Sequence, residues 1–227
     1  MTLAHKIVIA DDHPLFRTAL QQALKQLVPQ ADIVQAESLP QLQTQVEAHQ
    51  DADLILLDLN MPGAHGFSGL VFLRSHYPEI PVVVVSACED PAIMCQAVVH
   101  EAAGYIVKSS SLEDISGAIG SVLNGDIYLP PQARQHSHSP DPVSLDLAER
   151  LASLTPQQFR VLTMMSEGML NKQIAYDLEV SEATIKAHVT AIFRKLGVRT
   201  RTQAVIAVQS MDIERNDLAP SPVIADE

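Results

Sequence analysis

The chain has 227 residues, of which 47% are hydrophobic and 19% are charged, and its formal net charge is −12. This composition is typical of a globular protein and excludes an intrinsically disordered one. The longest uncharged apolar run, around Ile80–Ala87, is far shorter than the roughly 20 residues of a membrane-spanning helix, so no membrane partner is expected. The two cysteines, Cys88 and Cys95, are too few for a disulfide scaffold and are interpreted as reduced thiols of a cytoplasmic protein.

The negative charge argues by itself against a nucleic-acid-binding protein, but it is unevenly distributed. Residues 1–130 contain five basic and fifteen acidic side chains, whereas residues 131–227 contain ten basic and twelve acidic ones. From Ile185 to Arg201 there are five basic residues and no acidic residue. This local basic stripe is more informative about nucleic-acid binding than the sum over the chain.

Short β-branched runs alternate with stretches of helical periodicity over the first 125 residues. The predicted strands are Lys6–Ala10, Asp32–Ala36, Asp53–Leu57, Val82–Ser86 and Gly104–Val107. The predicted helices are Pro14–Val28, Leu39–His49, Gly66–His76, Pro91–His100 and Leu112–Asn124. The alternation predicts βαβ units, and therefore an α/β, flavodoxin-like, doubly wound sheet of five parallel strands with helices on both faces. The second strand is the most polar, which favours a position at the sheet edge.

A stretch rich in proline, serine, histidine and glutamine covers Leu129–Ser144 and indicates an interdomain linker. We assign residues 5–122 to the first domain and residues 123–148 to the linker. Residues 149–212 show helical patterns only, which predicts a small all-α domain. Its predicted helices are Pro156–Glu167, Asn171–Leu178, Glu182–Leu196 and Thr202–Ser210. The acidic residues 213–227 are expected to form a flexible tail.

Local sequence marks several ends of these helices. Thr155, Pro156 and Gln158 form a capping-box sequence in front of the first of them. Ser181 is a predicted N-cap and Gly197 a predicted C-cap of the longest one.

Acidic side chains follow two of the predicted strands directly. Asp11 and Asp12 come after the first strand, and Asp58 comes after the third. Because the carboxyl ends of parallel strands share one edge of a sheet, these carboxylates should converge with Ser86 and Lys108, which follow the fourth and fifth strands. Carboxylates brought together need a cation, and hard oxygen ligands favour Mg²⁺. Such a pocket is suited to accepting a phosphoryl group on an aspartate.

The order and placement of these residues resemble the receiver domain of two-component response regulators. The resemblance covers about residues 5–122 and depends on Asp11, Asp12, Asp58, Ser86, Tyr105 and Lys108. The segments Asp-Asp-His-Pro-Leu-Phe-Arg at 11–17 and Asp-Leu-Asn-Met-Pro-Gly at 58–63 resemble the NarL/FixJ subfamily. The first domain is therefore identified as a receiver-like domain.

This resemblance implies that Asp58 is the phosphoacceptor and that the cofactor is Mg²⁺. It also implies that Asp12 and Asp58 bind the ion, that Asp11 binds it largely through water, and that Asn60 offers its backbone carbonyl. A carboxylate at a strand end can instead be a plain helix cap, but this alternative explains single residues and not the whole set.

The resemblance further implies that Lys108 contacts the phosphoryl group and that Ser86 reorients towards it. Tyr105 stands at the position of the aromatic switch. The alternatives are that Ser86 is an inert turn hydroxyl and that Tyr105 is an ordinary core or surface aromatic residue.

The basic stripe lies on a predicted helix-turn-helix. Ile185, Val189 and Ile192 recur at helical spacing and indicate a buried face, so the opposite face exposes basic and small side chains that fit a DNA major groove. The alternative is a solvated basic face. The pattern from Asn171 to Arg201 resembles the LuxR-type helix-turn-helix over about residues 150–212. The residues predicted to contact DNA are Lys172, Thr184, Lys186, Ala187, His188, Thr190, Arg194, Lys195, Arg199 and Arg201.

Two of these assignments stay open at the level of sequence. His188 is equally consistent with a backbone contact to DNA and with support of the fold. The last helix carries Ala204, Val205, Ala207 and Val208 on a face that dimerises in relatives, but this face could also pack within the monomer.

Together the two resemblances imply a cytoplasmic transcriptional regulator controlled by phosphorylation. A sensor histidine kinase would phosphorylate Asp58, and this would promote dimerisation and expose the recognition helix 182–196. Two half-sites of double-stranded DNA about one helical turn apart would then be bound together. RNA polymerase is a further candidate partner.

Two other functions are weighed against this hypothesis. An Mg²⁺-dependent phosphatase of the haloacid dehalogenase type needs a general acid two residues beyond its aspartyl nucleophile. The residue at that position is Asn60, which cannot donate a proton as a carboxylic acid does, so no enzyme is expected. A phosphorylation-independent DNA-binding protein with a degenerate receiver is disfavoured by the intact pair of Asp58 and Lys108.

Overall fold

The computed structural model describes residues 5–134 and 142–212. The predicted tail at residues 213–227 and the central part of the predicted linker lie outside the described residues. Within the described ranges, no helix combines the length and the apolar character required to cross a membrane.

The first domain is built on a sheet of five parallel strands in the order β2-β1-β3-β4-β5. The strands are β1 (Lys6–Ala10), β2 (Asp32–Ala36), β3 (Leu54–Asp58), β4 (Val82–Ser86) and β5 (Gly104–Val107). The two strands β3 and β4 are buried along their whole length, as expected for strands covered on both faces. The predicted fold class is confirmed, and β2 occupies an edge of the sheet as its polar sequence indicated.

Five helices cover the two faces of this sheet. They are α1 (Pro14–Leu27), α2 (Leu39–Ala48), α3 (Ser68–His76), α4 (Pro91–Val99) and α5 (Leu112–Leu123). Successive residues of a strand point to opposite faces, and Ile7 and Val8 accordingly belong to different hydrophobic clusters. The cluster of Ile7 packs against α1 and α5, whereas the cluster of Val8 includes residues of α2, α3 and α4.

A short segment after α5 covers the outer edge of β5. The N–H of Tyr105 donates to the carbonyl of Tyr128 at 2.9 Å, and the N–H of Tyr128 donates to the carbonyl of Ala103 at 3.1 Å. A Cβ atom on Gly104 would lie 2.9 Å from the Tyr128 oxygen, so only glycine permits this close pairing. The short helix α6 (Pro131–Arg134) follows and packs against α4.

The second domain contains helices only. These are α7 (Pro142–Ala152), α8 (Pro156–Ser166), α9 (Asn171–Asp177), α10 (Glu182–Leu196) and α11 (Arg201–Gln209). The predicted caps are present: Thr155 and Gln158 form a capping box, Ser181 accepts the Thr184 N–H, and Gly197 ends α10 in the left-handed conformation with φ of 70°.

The predicted linker contains more structure than its composition indicates. Residues 123–148 were assigned to it, but Tyr128 pairs with β5 and α6 and α7 lie largely within this range. The helix α7 packs against α3, and its Ala148 and Leu151 are buried. Both helices begin with a proline, Pro131 and Pro142. Proline fits the first position of a helix, but in the sequence it is also typical of a linker.

The two domains are packed against each other through α2, α3, α7 and α8. The rings of Phe72 and Phe159 stack with centroids 4.5 Å apart and planes 16° apart. His65 Nε2 lies 2.8 Å from Ser166 Oγ, and Arg160 lies 3.6 Å from Glu47. The hydrophobic cluster therefore runs without a break from one domain into the other.

Candidate functional sites

Three carboxylates meet at the carboxyl edge of the sheet. Asp11 directly follows β1 and Asp58 ends β3, and both residues are only 1% exposed. Asp12 is half-buried beside them. One ligand atom each of Asp11, Asp12, His13 and Asp58 lies within 4.8 Å of the others. The convergence expected from a parallel sheet is therefore present.

Lys108 reaches the same edge from the end of β5. Its Nζ lies 2.6 Å from Asp11 Oδ2 and 2.8 Å from Asp58 Oδ2. The ammonium also lies 5.1 Å from the centre of the Phe16 ring, within range of a cation–π contact. Lys108 thus bridges the two buried carboxylates and offsets their repulsion.

The buried position of Asp58 changes its acidity. Burial raises the pKa of this carboxyl, whereas the hydrogen bonds from Lys108 and from the Asn60 N–H, at 3.0 Å, act in the opposite direction. The net effect is a raised pKa, and Lys108 and the Asn60 N–H are the groups that favour the ionised form. Asp58 is therefore placed to act as a nucleophile supported by Lys108.

The acidic cluster opens to the surface through a cavity of about 430 Å³. Asp58, Asn60 and Lys108 line this cavity together with the apolar side chains of Leu15 and Phe16. The carboxylates supply hard oxygen ligands, which is the donor set that Mg²⁺ prefers. The residues present therefore fit a magnesium ion.

The two predicted switch residues lie on β4 and β5 and are fully buried. Ser86 and Tyr105 are both 0% exposed. The Tyr105 hydroxyl donates to the Cys88 carbonyl at 2.9 Å, and the Cys88 N–H donates to Ser86 Oγ at 3.2 Å. Burial raises the pKa of Tyr105, so this hydroxyl stays protonated and remains a hydrogen-bond donor. The loop at Cys88 joins both switch residues through its backbone.

The helix α10 presents one buried and one open face. Ile185, Ile192 and Leu196 are buried against α7, α8, α9 and α11. The predicted DNA-facing residues Lys186, Ala187, Thr190 and Arg194 are exposed. These four side chains are therefore open to solvent while the two domains are packed against each other.

Two of the predicted DNA contacts are engaged inside the domain instead. Lys195 Nζ donates to the Ser153 carbonyl at 2.6 Å and to Gln158 Oε1 at 2.8 Å. Arg201 donates from one guanidinium nitrogen to the Met165 and Met169 carbonyls, and its burial lowers its pKa. In this structure their cationic groups are engaged by the Ser153, Met165 and Met169 carbonyls and by the Gln158 side chain, and their role as phosphate contacts stays a prediction.

The remaining predicted contacts have mixed surroundings. Lys172 and Arg199 are exposed, and His188 is half-buried. Thr184 Oγ1 lies 2.8 Å from the Ser181 hydroxyl at the start of α10. Lys186 forms an exposed ion pair with Glu182 at 2.9 Å, which a phosphate group could readily replace.

Comparisons with known proteins match both domains. Residues 7–120 match the family described as response regulator receiver domain, and residues 152–208 match bacterial regulatory proteins of the luxR family. This chain is a response regulator of the NarL/FixJ type. The motifs at 11–17, 58–63 and 171–201 predicted these two families, and the matches confirm both.

Relatives of this response regulator match it over nearly its whole length. A glycerol metabolism activator of Pseudomonas putida is 43% identical over 213 residues, which cover 92% of this chain and 96% of the relative. The nitrate/nitrite response regulator protein NarL of Escherichia coli K12 is 30% identical over 203 residues, 89% of this chain and 94% of its own. The response regulator is therefore a DNA-binding transcriptional regulator.

A solved complex of the two-component response regulator RcsB with DNA shares the fold. Its TM-score is 0.53 at 24% sequence identity, and the match covers 92% of this chain and 97% of that one. A further solved structure contains two RcsB dimers bound to two parallel DNAs, with the same TM-score and identity.

One buried residue of this response regulator was missed by the sequence reasoning. Arg17 is 7% exposed and donates to the backbone carbonyl of Asp11 at 2.7 Å. Its side-chain partners, Gln35 and Glu37, lie 18 and 20 residues away in the chain. No local pattern marks such a contact, and its only signal was its place at the end of the motif at 11–17.

Proposed function

We propose that this response regulator binds promoter DNA in response to phosphorylation of Asp58 by a sensor histidine kinase in the cytoplasm. The observation that carries the proposal is the convergence of Asp11, Asp58 and Lys108 in one open pocket of a chain that also exposes a basic recognition helix. The proposed phosphorylation site and the proposed DNA-binding helix therefore belong to the same chain.

The residues of the pocket have different roles in the proposed phosphoryl transfer. A carboxylate oxygen of Asp58 forms the bond to phosphorus while the bond from phosphorus to the donor breaks, which leaves an aspartyl phosphate and the free donor group. Asp11, Asp12 and the Asn60 carbonyl would hold Mg²⁺, and the ion would supply positive charge that neutralises the oxygens of the transferring group. Lys108 stays within reach of those oxygens because it already contacts Asp58.

The new phosphoryl group carries about −1.5 to −2 charges and acts on groups that surround Asp58. Ser86 and Lys108 turn towards it, and Tyr105 follows because the Cys88 backbone joins it to Ser86. Since the recognition face of α10 is already open, dimerisation on two half-sites is the step under control. The solved dimers of RcsB on DNA support this arrangement.

Replacement of Asp58 with asparagine tests this function. DNA fragments are first selected from the source genome by the wild-type chain, and their affinity is then measured with and without acetyl phosphate and Mg²⁺. We expect the phosphodonor to increase wild-type affinity about tenfold, equivalent to roughly 1.4 kcal/mol, and to leave Asp58→Asn unchanged.

The matched control is Asp51→Asn, which makes the same chemical change at the opposite edge of the sheet, where Asp51 pairs with Lys6. This variant should respond like the wild type. An equal response of Asp58→Asn and the wild type would exclude phosphorylation of Asp58 as the control.

The exposed side chain of Leu15 indicates where the histidine kinase contacts this pocket. Leu15 is 88% exposed and lines the cavity that contains Asp58, so a partner approaching Asp58 would bury it, which stabilises a contact by about 1.5–3 kcal/mol. Leu15→Asp should therefore slow phosphotransfer from the cognate kinase about tenfold, while phosphorylation by acetyl phosphate stays within twofold of wild type.

The kinase is identified by profiling phosphotransfer from each autophosphorylated sensor kinase of the same cell. Ile127→Asp is the control, because Ile127 is also exposed, at 64%, but does not line the cavity. Equal slowing by the two substitutions, or equal slowing with acetyl phosphate, would contradict a docking role for Leu15.

A further inference from the structure

Arg17 is a buried cation behind the acidic pocket, and the proposed phosphoryl transfer does not use it. Its side chain is 8% exposed, whereas its charged partner Glu37 is 63% exposed. A guanidinium group removed from water in this way requires fixed hydrogen-bond partners. The partners of this guanidinium group therefore indicate what Arg17 does for the pocket.

The guanidinium group joins Asp11 to the end of β2. One terminal nitrogen donates to the Asp11 carbonyl at 2.7 Å, Nε donates to Gln35 Oε1 at 3.0 Å, and the other terminal nitrogen contacts Glu37 Oε1. Between these two partners, the carbonyl of Ala36 accepts the N–H of Asp11 at 3.1 Å. Both backbone polar groups of Asp11 are thus held by three consecutive residues, directly or through Arg17.

We propose that Arg17 is a positioning residue that holds Asp11 in the geometry required for divalent-cation binding at the phosphoacceptor pocket. The proposal rests on the proposed function, because it assigns Asp11 to the Mg²⁺ site. Asp11 contacts Lys108 through Oδ2 and the His13 N–H through Oδ1, so a shift of its backbone would displace both carboxylate oxygens.

The shape of the arginine side chain is essential for this role. A planar guanidinium group donates in three fixed directions, whereas a lysine ammonium is a single point donor on a flexible stem. Lysine at position 17 could contact the Asp11 carbonyl but could not hold Gln35 and Glu37 at the same time. We therefore expect Arg17→Lys to lose much of the positioning although it keeps the charge.

Positioning and simple electrostatics predict opposite results at this residue. A positive charge behind the pocket repels a divalent cation, so its removal in Arg17→Gln would strengthen cation binding if charge alone mattered. If Arg17 positions Asp11, the same variant binds the cation more weakly. The sign of the change therefore separates the two roles.

The experiment measures the binding of Mn²⁺, used as the probe, to the full-length chain without any phosphodonor. The electron paramagnetic resonance signal reports the concentration of the free ion. Competition with Mg²⁺ then gives the Mg²⁺ dissociation constant. We expect Arg17→Gln and Arg17→Lys each to raise both dissociation constants about tenfold, as is common when a group behind a metal ligand is removed. Circular dichroism confirms that the variants are folded.

Arg74→Lys is the matched control. Arg74 is also mostly buried, at 19% side-chain exposure, and donates to a backbone carbonyl, that of Ile80, at 2.9 Å, but it does not contact the acidic cluster. Its substitution should leave Mn²⁺ affinity within twofold of wild type even if thermal stability falls.

Three results would overturn the inference: unchanged or tighter Mn²⁺ binding in Arg17→Gln, an equal loss in Arg74→Lys, or no Mn²⁺ binding by the wild-type chain. Because the measurement omits a phosphodonor, a wild-type chain that binds Mn²⁺ but is not phosphorylated by acetyl phosphate would contradict the proposed function and leave the role of Arg17 standing.

Discussion

Replacement of Lys108 with methionine is expected to lower the free energy of unfolding by about 3 kcal/mol at neutral pH. Lys108 Nζ contacts both Asp11 and Asp58, whose side chains are at most 2% exposed. Removal of one partner of a buried ion pair leaves uncompensated charge, which is among the most destabilising single changes. Urea denaturation followed by circular dichroism measures the change.

Two companion measurements show whether charge is the cause. Millimolar Mg²⁺ should restore much of the stability of Lys108→Met, because the ion replaces the missing cation in the folded state only. Asp58→Asn should instead be at least as stable as the wild type, since it removes one of the facing carboxylates. Destabilisation of similar size in both variants would contradict this electrostatic account.

The pH dependence gives a further check with a definite sign. Burial raises the pKa of Asp58 in the folded chain, so its ionised form opposes folding above that pKa. As the pH falls through the raised pKa towards the unfolded value of about 3.9, the wild-type carboxyl becomes neutral. The stability advantage of Asp58→Asn should therefore shrink over this interval.

The second large effect concerns the open face of α10. The double variant Lys186→Ala, Arg194→Ala should bind the selected DNA about 100-fold more weakly than the wild type. The slope of log K against log salt concentration should also become shallower, by about 2 for each protomer. Both side chains are exposed on the recognition helix, where they can reach phosphates or base edges. Fluorescence anisotropy at several salt concentrations measures both quantities.

Neighbouring residues provide a matched pair within this helix. Arg194→Ala and Lys195→Ala each remove one positive charge, but only Arg194 is open to a duplex, because Lys195 is bound to Ser153 and Gln158. Arg194→Ala should weaken DNA binding about tenfold, whereas Lys195→Ala should reduce thermal stability and leave the salt slope unchanged. Equal salt slopes for both variants would show that α10 does not lie in the groove as described.

The sequence predicts the acidic pocket well because its geometry follows from topology. Once the strands are parallel, residues directly after β1 and β3 must share an edge, so Asp11 and Asp58 converge whatever the loops do. Capping residues such as Ser181 are equally predictable, since their hydrogen bonds close within one helical turn.

The features that sequence reasoning missed depend on contacts between distant segments. Lys195 and Arg194 look alike in the sequence, and only the structure shows that Lys195 donates to the carbonyl of Ser153, 42 residues away. Arg17 depends in the same way on Gln35 and Glu37. Most of α7 falls in the range assigned to the linker, because Pro140, Pro142 and Ser144 outweigh the apolar residues that pack against α3.

The pairing of Tyr128 with β5 also affects how copies of this protein meet. An unpaired strand at the end of a sheet can recruit a strand from another molecule, which leads to open-ended aggregation. Here the N–H of Tyr105 and the carbonyl of Ala103 are already satisfied, and the opposite edge strand, β2, places the charged Asp32 at an exposed position. The β5 edge is thus paired with Tyr128 and the β2 edge carries an exposed charge, and both features disfavour the addition of a strand from another copy.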